Sequence, residues 1–205
     1  MAFDQISIDR LRDMGIDAQE YDQQLTQKFG SQCFIFKQLL ESFWGEVLSD
    51  LDNTPFNSFY AATGLPSDSE IHNSLYDFYN YLRLFKDGGK LKLYKYRQAE
   101  WKGPIVRLSR SDCPAPKLEL LADKTCIYRG MSTAEYESGV FGQSWTIEVQ
   151  VAKKFAIDTY EDQRDGVVAV TNINKSDVIY IFENDPESEV VIDSRSIRSA
   201  HIFNG

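Results

Sequence analysis

The sequence predicts an α+β chain, with a helical N-terminal half and a mainly antiparallel, strand-rich C-terminal half. Two observations carry this. Up to about residue 90 the apolar residues recur at helical spacing. Beyond it, short β-branched runs are divided by Gly, Pro, Asn and Asp. The change of period follows Asp87-Gly88-Gly89, so residues 1–89 are read as a helical region and 90–205 as a strand-rich domain. The CPAP turn at 113–116 is the alternative boundary.

The elements follow in order. Asp17 and Glu20 have capping-box spacing ahead of Tyr21, Leu25 and Phe29. From Ser31 to Leu51 a wide apolar arc (Phe36, Leu39, Leu40, Phe43, Trp44, Val47, Leu48) predicts a long, central, buried helix. After Pro66, Ser67 and Glu70 form a second capping box, and Ile71, Leu75, Phe78, Leu82 and Phe85 repeat at four and three. Tyr76, Tyr79 and Tyr81 lie off that stripe and are expected at its margins, with a stacking platform as the alternative. Strands are then predicted in KLKLYKY, IVRL, TCIYRG, QSWTIEV, GVVAVTNI, DVIYIF and SEVVID, with one helix over 149–158. KLKLYKYR at 90–97 reads as an edge strand with lysines on its wet face, a local basic groove being the alternative.

Composition narrows the function. A hydrophobic content of 42% is enough for a core, and a net charge of −9 argues against a uniformly basic nucleic-acid binder. Cys33, Cys113 and Cys126 are too scattered for a disulfide scaffold or a zinc site, and no metal is expected. His72 and His201 are the only histidines and neither sits in a nucleophile motif. No apolar run approaches membrane-spanning length, and MAFDQISIDR lacks a signal-peptide pattern. The chain is therefore expected to work without a membrane, in the cytoplasm or delivered into a target cell without a cleaved signal.

Four features of the strand-rich half carry chemistry. Tyr128-Arg129-Gly130 places an arginine in a short strand before a glycine turn, a shape suited to bidentate recognition of phosphate or ribose. Ser144-Trp145-Thr146 sets two hydroxyls on one strand face, with Trp145 turned away as an anchor. The polar turn Phe182-Glu183-Asn184-Asp185-Pro186 leads to Glu187 and Glu189. On a strand these two glutamates, at i and i+2, would stand side by side on one face.

In that order the motifs resemble the ADP-ribosyltransferase superfamily, in its arginine–serine–glutamate, toxin-like branch; the likeness covers about Lys124 to the C-terminus. The middle of the family's Ser-Thr-Ser motif is here Trp145. The resemblance implies a two-sheet ADP-ribosyltransferase-like β core and NAD as co-substrate. It implies that Arg129 holds an NAD phosphate or the nicotinamide ribose, helped by Tyr128 and Gly130. Ser144 would position the catalytic glutamate and help to hold the nicotinamide ribose, and Thr146, in the third place of the motif, would join it in binding the cofactor. Glu189 would be that catalytic glutamate, and Glu187 would handle the acceptor.

Cleaving the nicotinamide–ribose bond builds positive charge on the ribose, which a fixed carboxylate stabilises. The resulting expectation is a mono-ADP-ribosyltransferase, a bacterial or phage toxin or effector, acting on a macromolecule. A protein arginine is the favoured acceptor and RNA the second. An NAD glycohydrolase and a catalytically inactive binding module are the alternatives. The helical N-terminal region would select a target or bind an antitoxin, chaperone or other regulatory protein.

Overall fold

A computed structural model describes residues 2–49, 51–97, 103–157 and 166–204 of the chain. The contacts divide it into two units, Met1–Leu108 and Ser109–Gly205. Among the described residues no helix is long and apolar enough to cross a membrane.

The first unit contains α1 (Gln5–Asp13), α2 (Ala18–Phe29), α3 (Phe34–Phe43), α4 (Thr54–Ala62) and α5 (Glu70–Tyr96). Asp17 caps α2 by accepting the backbone N–H groups of Gln19 and Glu20, as its spacing predicts. The helix expected over 31–51 is shorter: a 3₁₀ turn leads into α3, which ends at Phe43. Beyond it Ser49 and Asp52 accept the N–H groups of Leu51 and Thr54, local bonds that favour turns over helix. Val47 is accordingly 98% exposed rather than buried.

The cap of α5 is Ser69, not Ser67. Its hydroxyl accepts the N–H of His72 and lies 2.7 Å from the Tyr60 phenol. Tyr79 and Tyr81 belong to the core, not its margin; Tyr79 packs within 5.4 Å of the rings of Phe43 and Phe56.

The region 90–96 is helix, not an edge strand. Gly88 and Gly89 kink α5, Gly89 adopting a φ of +69°, and the helix resumes to bury Leu93 and Tyr94 together. Two consecutive buried residues fit a helix packed on one side and not a strand of period two. Ile105–Leu108 forms no strand either: Val106 makes a single bridge to Ile16 and is buried in the helical unit. The division of the chain therefore falls after Leu108, downstream of the glycine pair.

In the second unit the strands are β1 (Lys124–Ser132), β2 (Ser144–Thr146), β3 (Gly166–Asn174), β4 (Val178–Ile181), β5 (Glu189–Ile192) and β6 (His201–Ile202). They form one six-stranded antiparallel sheet in the order β4-β5-β2-β1-β3-β6, where two sheets were expected. A short helix, α6 (Thr133–Ser138), follows β1 and was not foreseen, nor was β6. The foreseen helix is α7 (Val149–Ile157), while Asp158, its expected last residue, lies outside the described residues.

Strand alternation gives the sheet two distinct faces. One buries Ile127, Met131, Trp145, Ala169, Val190 and Ile192 in a single apolar cluster, with Tyr136 and Phe141 against it. The other carries α7, whose Ala152 and Ala156 pack on Val168 beside Tyr128. Gly130 makes that packing close: a Cβ there would lie 2.1 Å from the carbonyl oxygen of Ala152.

Candidate active site on the α7 face of the sheet

The pairing of β2 with β5 sets the site. Ser144 lies opposite Val191, Trp145 opposite Val190, and Thr146 opposite Glu189. Trp145 and Val190 enter the apolar cluster, so Ser144, Thr146 and Glu189 share the other face. Trp145 is the anchor that alternation predicts, 2% exposed, with its indole N–H donated to the Gly142 carbonyl.

Ser144 and Glu189 are in direct contact. The Ser144 hydroxyl donates to Glu189 Oε1 at 2.5 Å, and Glu189 is 5% exposed. A carboxylate held this way is short of water and fixed in direction, and a hydrogen bond to an ionised acceptor is among the stronger kinds. Thr146 reaches the same corner for another reason. Its hydroxyl donates to the Glu187 carbonyl at 2.7 Å and accepts the Glu148 N–H at 3.0 Å, tying the turn before β5 to the segment before α7.

Glu187 is not on the strand. β5 starts at Glu189, and the residue between them, Ser188, has a φ of +48°. Asn184 has a φ of +54°, and the Ser188 N–H closes the turn on the Asp185 carbonyl at 2.9 Å. The i, i+2 strand geometry expected for the two glutamates is thus replaced by a turn with two left-handed residues. The turn still brings the carboxylates together: oxygens of Asp185, Glu187 and Glu189 lie within 4.8 Å of one another. Glu189 is buried, Asp185 partly so, and Glu187 exposed. Acidic groups gather in this way without a metal, and the cluster alone assigns none.

Arg129 stands elsewhere. Tyr128 pairs with Thr146, which puts Arg129 level with Trp145 and on the apolar face, opposite the Ser144 hydroxyl and Glu189. There its guanidinium is bidentate to Glu135, Nε to Oε1 at 2.8 Å and Nη2 to Oε2 at 3.2 Å. Nη1 donates to the Ser144 backbone carbonyl at 2.8 Å. The structure thus places Arg129 on the face opposite the Ser144 hydroxyl and Glu189, because a strand arginine one residue out of phase faces the other way.

Gly130 and Tyr128 are on the α7 face. Gly130 is explained by the close approach of α7. Tyr128 packs edge-on to Phe203, with ring centroids 5.5 Å apart. A hydrogen bond with the Cys126 thiol, helped by burial, raises the pKa of its phenol.

Glu135 was not singled out by motif, and Asp185 was named only as part of the polar turn 182–186. For Glu135 a signal was present: Ser132-Thr133-Ala134-Glu135 has capping-box spacing, and the Ser132 hydroxyl does accept the Glu135 N–H at 3.1 Å. No protein-family model, curated protein or solved structure matches the chain.

Proposed function

We propose that the chain is a mono-ADP-ribosyltransferase that cleaves NAD and transfers ADP-ribose to a macromolecular acceptor. The observation that carries this is the buried Glu189 carboxylate, held at 2.5 Å by the Ser144 hydroxyl with the exposed Glu187 carboxylate beside it.

Cleavage breaks the bond between the nicotinamide nitrogen and the ribose carbon. The electron pair leaves with nicotinamide, and the ribose carbon becomes cation-like. A carboxylate that is already oriented and shielded stabilises such charge without reorganising as it forms. Glu189 meets both conditions, and Ser144 supplies the orientation. The acceptor then forms its bond to the ribose carbon and gives up a proton, which Glu187 is placed to take. Arg129 has no direct part in NAD binding in this reading, because its guanidinium lies on the opposite face.

The cluster of Asp185, Glu187 and Glu189 favours a cationic acceptor such as a protein arginine over the phosphate backbone of RNA. The reading extends to a bacterial or phage effector acting in a cytoplasm, with the helical unit as the region for an antitoxin or chaperone.

The test is incubation of the full chain with NAD and cell lysate. Wild type should release nicotinamide and label an acceptor, and Glu189→Gln should abolish both. A wild-type protein that leaves NAD intact under these conditions removes the proposal.

A further inference from the structure

Glu135 has no counterpart among the arginine, serine and glutamate of the motif, yet it is where the arginine goes. Its Oε1 accepts both Arg129 Nε and the Gly142 backbone N–H, at 2.8 and 3.0 Å, and its Oε2 accepts Nη2. The two side chains are only 11% and 20% exposed, so solvent screens the pair poorly. Gly142 leaves room for the guanidinium, since a Cβ there would lie 2.6 Å from Nη2. From this clamp Nη1 reaches through to the Ser144 carbonyl.

We infer that Glu135 is a positioning residue for NAD cleavage, acting through Arg129 on the Ser144 backbone and so on the bond from Ser144 to Glu189. The inference rests on the NAD-cleaving reading. Its physical basis is that one residue, Ser144, is gripped from both faces of the sheet: its carbonyl by Arg129, its hydroxyl against Glu189. Ser144 also opens a strand of three residues that pairs with β5 along its whole length but with β1 only at Thr146. The Glu135–Arg129 pair ties Ser144 to β1 as well.

An arginine that bound a cofactor phosphate would behave differently. Its loss would raise KM for NAD, and neutralising Glu135 would leave turnover intact. The positioning role instead lowers kcat with KM unchanged, and makes the two residues act as a unit.

The experiment compares Glu135→Gln, Arg129→Gln and the double variant in the full chain, by nicotinamide release, thermal melting and backbone amide spectra. Each single variant should lose about 10²-fold in kcat, the order expected for a small misplacement of reacting groups. KM for NAD should hold within about twofold. The double variant should be no worse than the poorer single, and the amides of Thr146 and Glu189 should shift in both singles. Additive losses overturn the inference, as does Glu135→Gln at the wild-type rate or a raised KM in Arg129→Gln with kcat intact; NAD cleavage by wild type would still stand.

If wild type releases no nicotinamide, the cleavage reading fails first, and unshifted Thr146 and Glu189 amides then dispose of the clamp as well. Should Glu135→Gln unfold, Glu135→Asp keeps the charge one methylene short. It should melt like wild type with reduced kcat, and a wild-type kcat there counts against the role.

Discussion

Ser144→Ala isolates the bond on which the site depends. The substitution deletes the hydroxyl and leaves the Ser144 carbonyl, with its bond from Arg129, in place. What is lost is a 2.5 Å hydrogen bond to a carboxylate only 5% exposed. Hydrogen bonds to charged groups contribute about 1.5–3 kcal/mol, and an acceptor that water can hardly reach belongs in the upper part, about 2–3 kcal/mol. If the hydroxyl aims Glu189 at the developing ribosyl cation, the same quantity enters the barrier. At 1.36 kcal/mol per decade that is a fall in kcat of about 30- to 160-fold. The assay is nicotinamide release at saturating NAD, with thermal melting measured in parallel. A kcat that stays within about threefold of wild type while the melting temperature drops would refute the reasoning. The bond would then hold the strands together and do nothing for the reaction.

Glu187→Gln should cut transfer to the acceptor by about 10²- to 10⁴-fold, the usual contribution of a general base, while NAD hydrolysis persists. Mass spectrometry of acceptor and free ADP-ribose distinguishes these outcomes, and an equal fall in both removes the division of roles. Gly130→Ala sets a Cβ 2.1 Å from the Ala152 oxygen and 2.5 Å from the Ala156 nitrogen, both backbone, so α7 must shift as a body. Overpacking of this kind costs about 1–3 kcal/mol, or roughly 4–8 °C of melting temperature per kcal/mol in a unit of this size. Unchanged melting would mean that α7 is not seated as described.

Asp4 contributes to the pH dependence of the helical unit. The Ser7 backbone N–H, and after it the Lys37 ammonium, lower its pKa from 3.8 to about 2. Because the folded value lies below the unfolded one, its stabilisation is complete above about pH 4 and is lost as pH falls toward about 2. Urea unfolding at pH 5 and pH 2.5 should show a larger loss for wild type than for Asp4→Asn, and equal losses would contradict the assignment.

The strand-rich half was legible because turn residues and β-branched runs mark short strands directly. TCIYRG, GVVAVTNI, DVIYIF and SEVVID all appear as β1, β3, β4 and β5 within a residue or two. KLKLYKY misled because lysine, leucine and tyrosine alternate there by type. The helix reads them by angle and buries the neighbours Leu93 and Tyr94. At the site, the meeting of Ser144 with Glu189 was implied by the family resemblance of the motifs, and the two side chains do meet at 2.5 Å. The face of Arg129 does not. That depends on the register of β1 against β2, Tyr128 opposite Thr146, and a shift of one residue would reverse it. The polar turn 182–186 was legible, but that it extends past Glu187 was hidden for a related reason. Positive φ at Asn184 and Ser188 takes the chain out of the strand pattern from which the pair was first read.

The two glutamates therefore differ in kind. Glu189 is the first residue of a strand whose four residues are all buried, and its carboxylate is oriented by a hydroxyl from the neighbouring strand. Glu187 sits in a turn, exposed, and Thr146 fixes it only through its backbone carbonyl, which leaves the carboxylate to face what arrives. Stabilising a transient cation requires a group that does not have to move, whereas taking a proton from a large acceptor requires one that can be reached. Exchanging the two roles would place the rigid carboxylate at the acceptor and the solvated one at the cation, where water would weaken it. The geometry thus argues for one assignment of the pair and against its reverse.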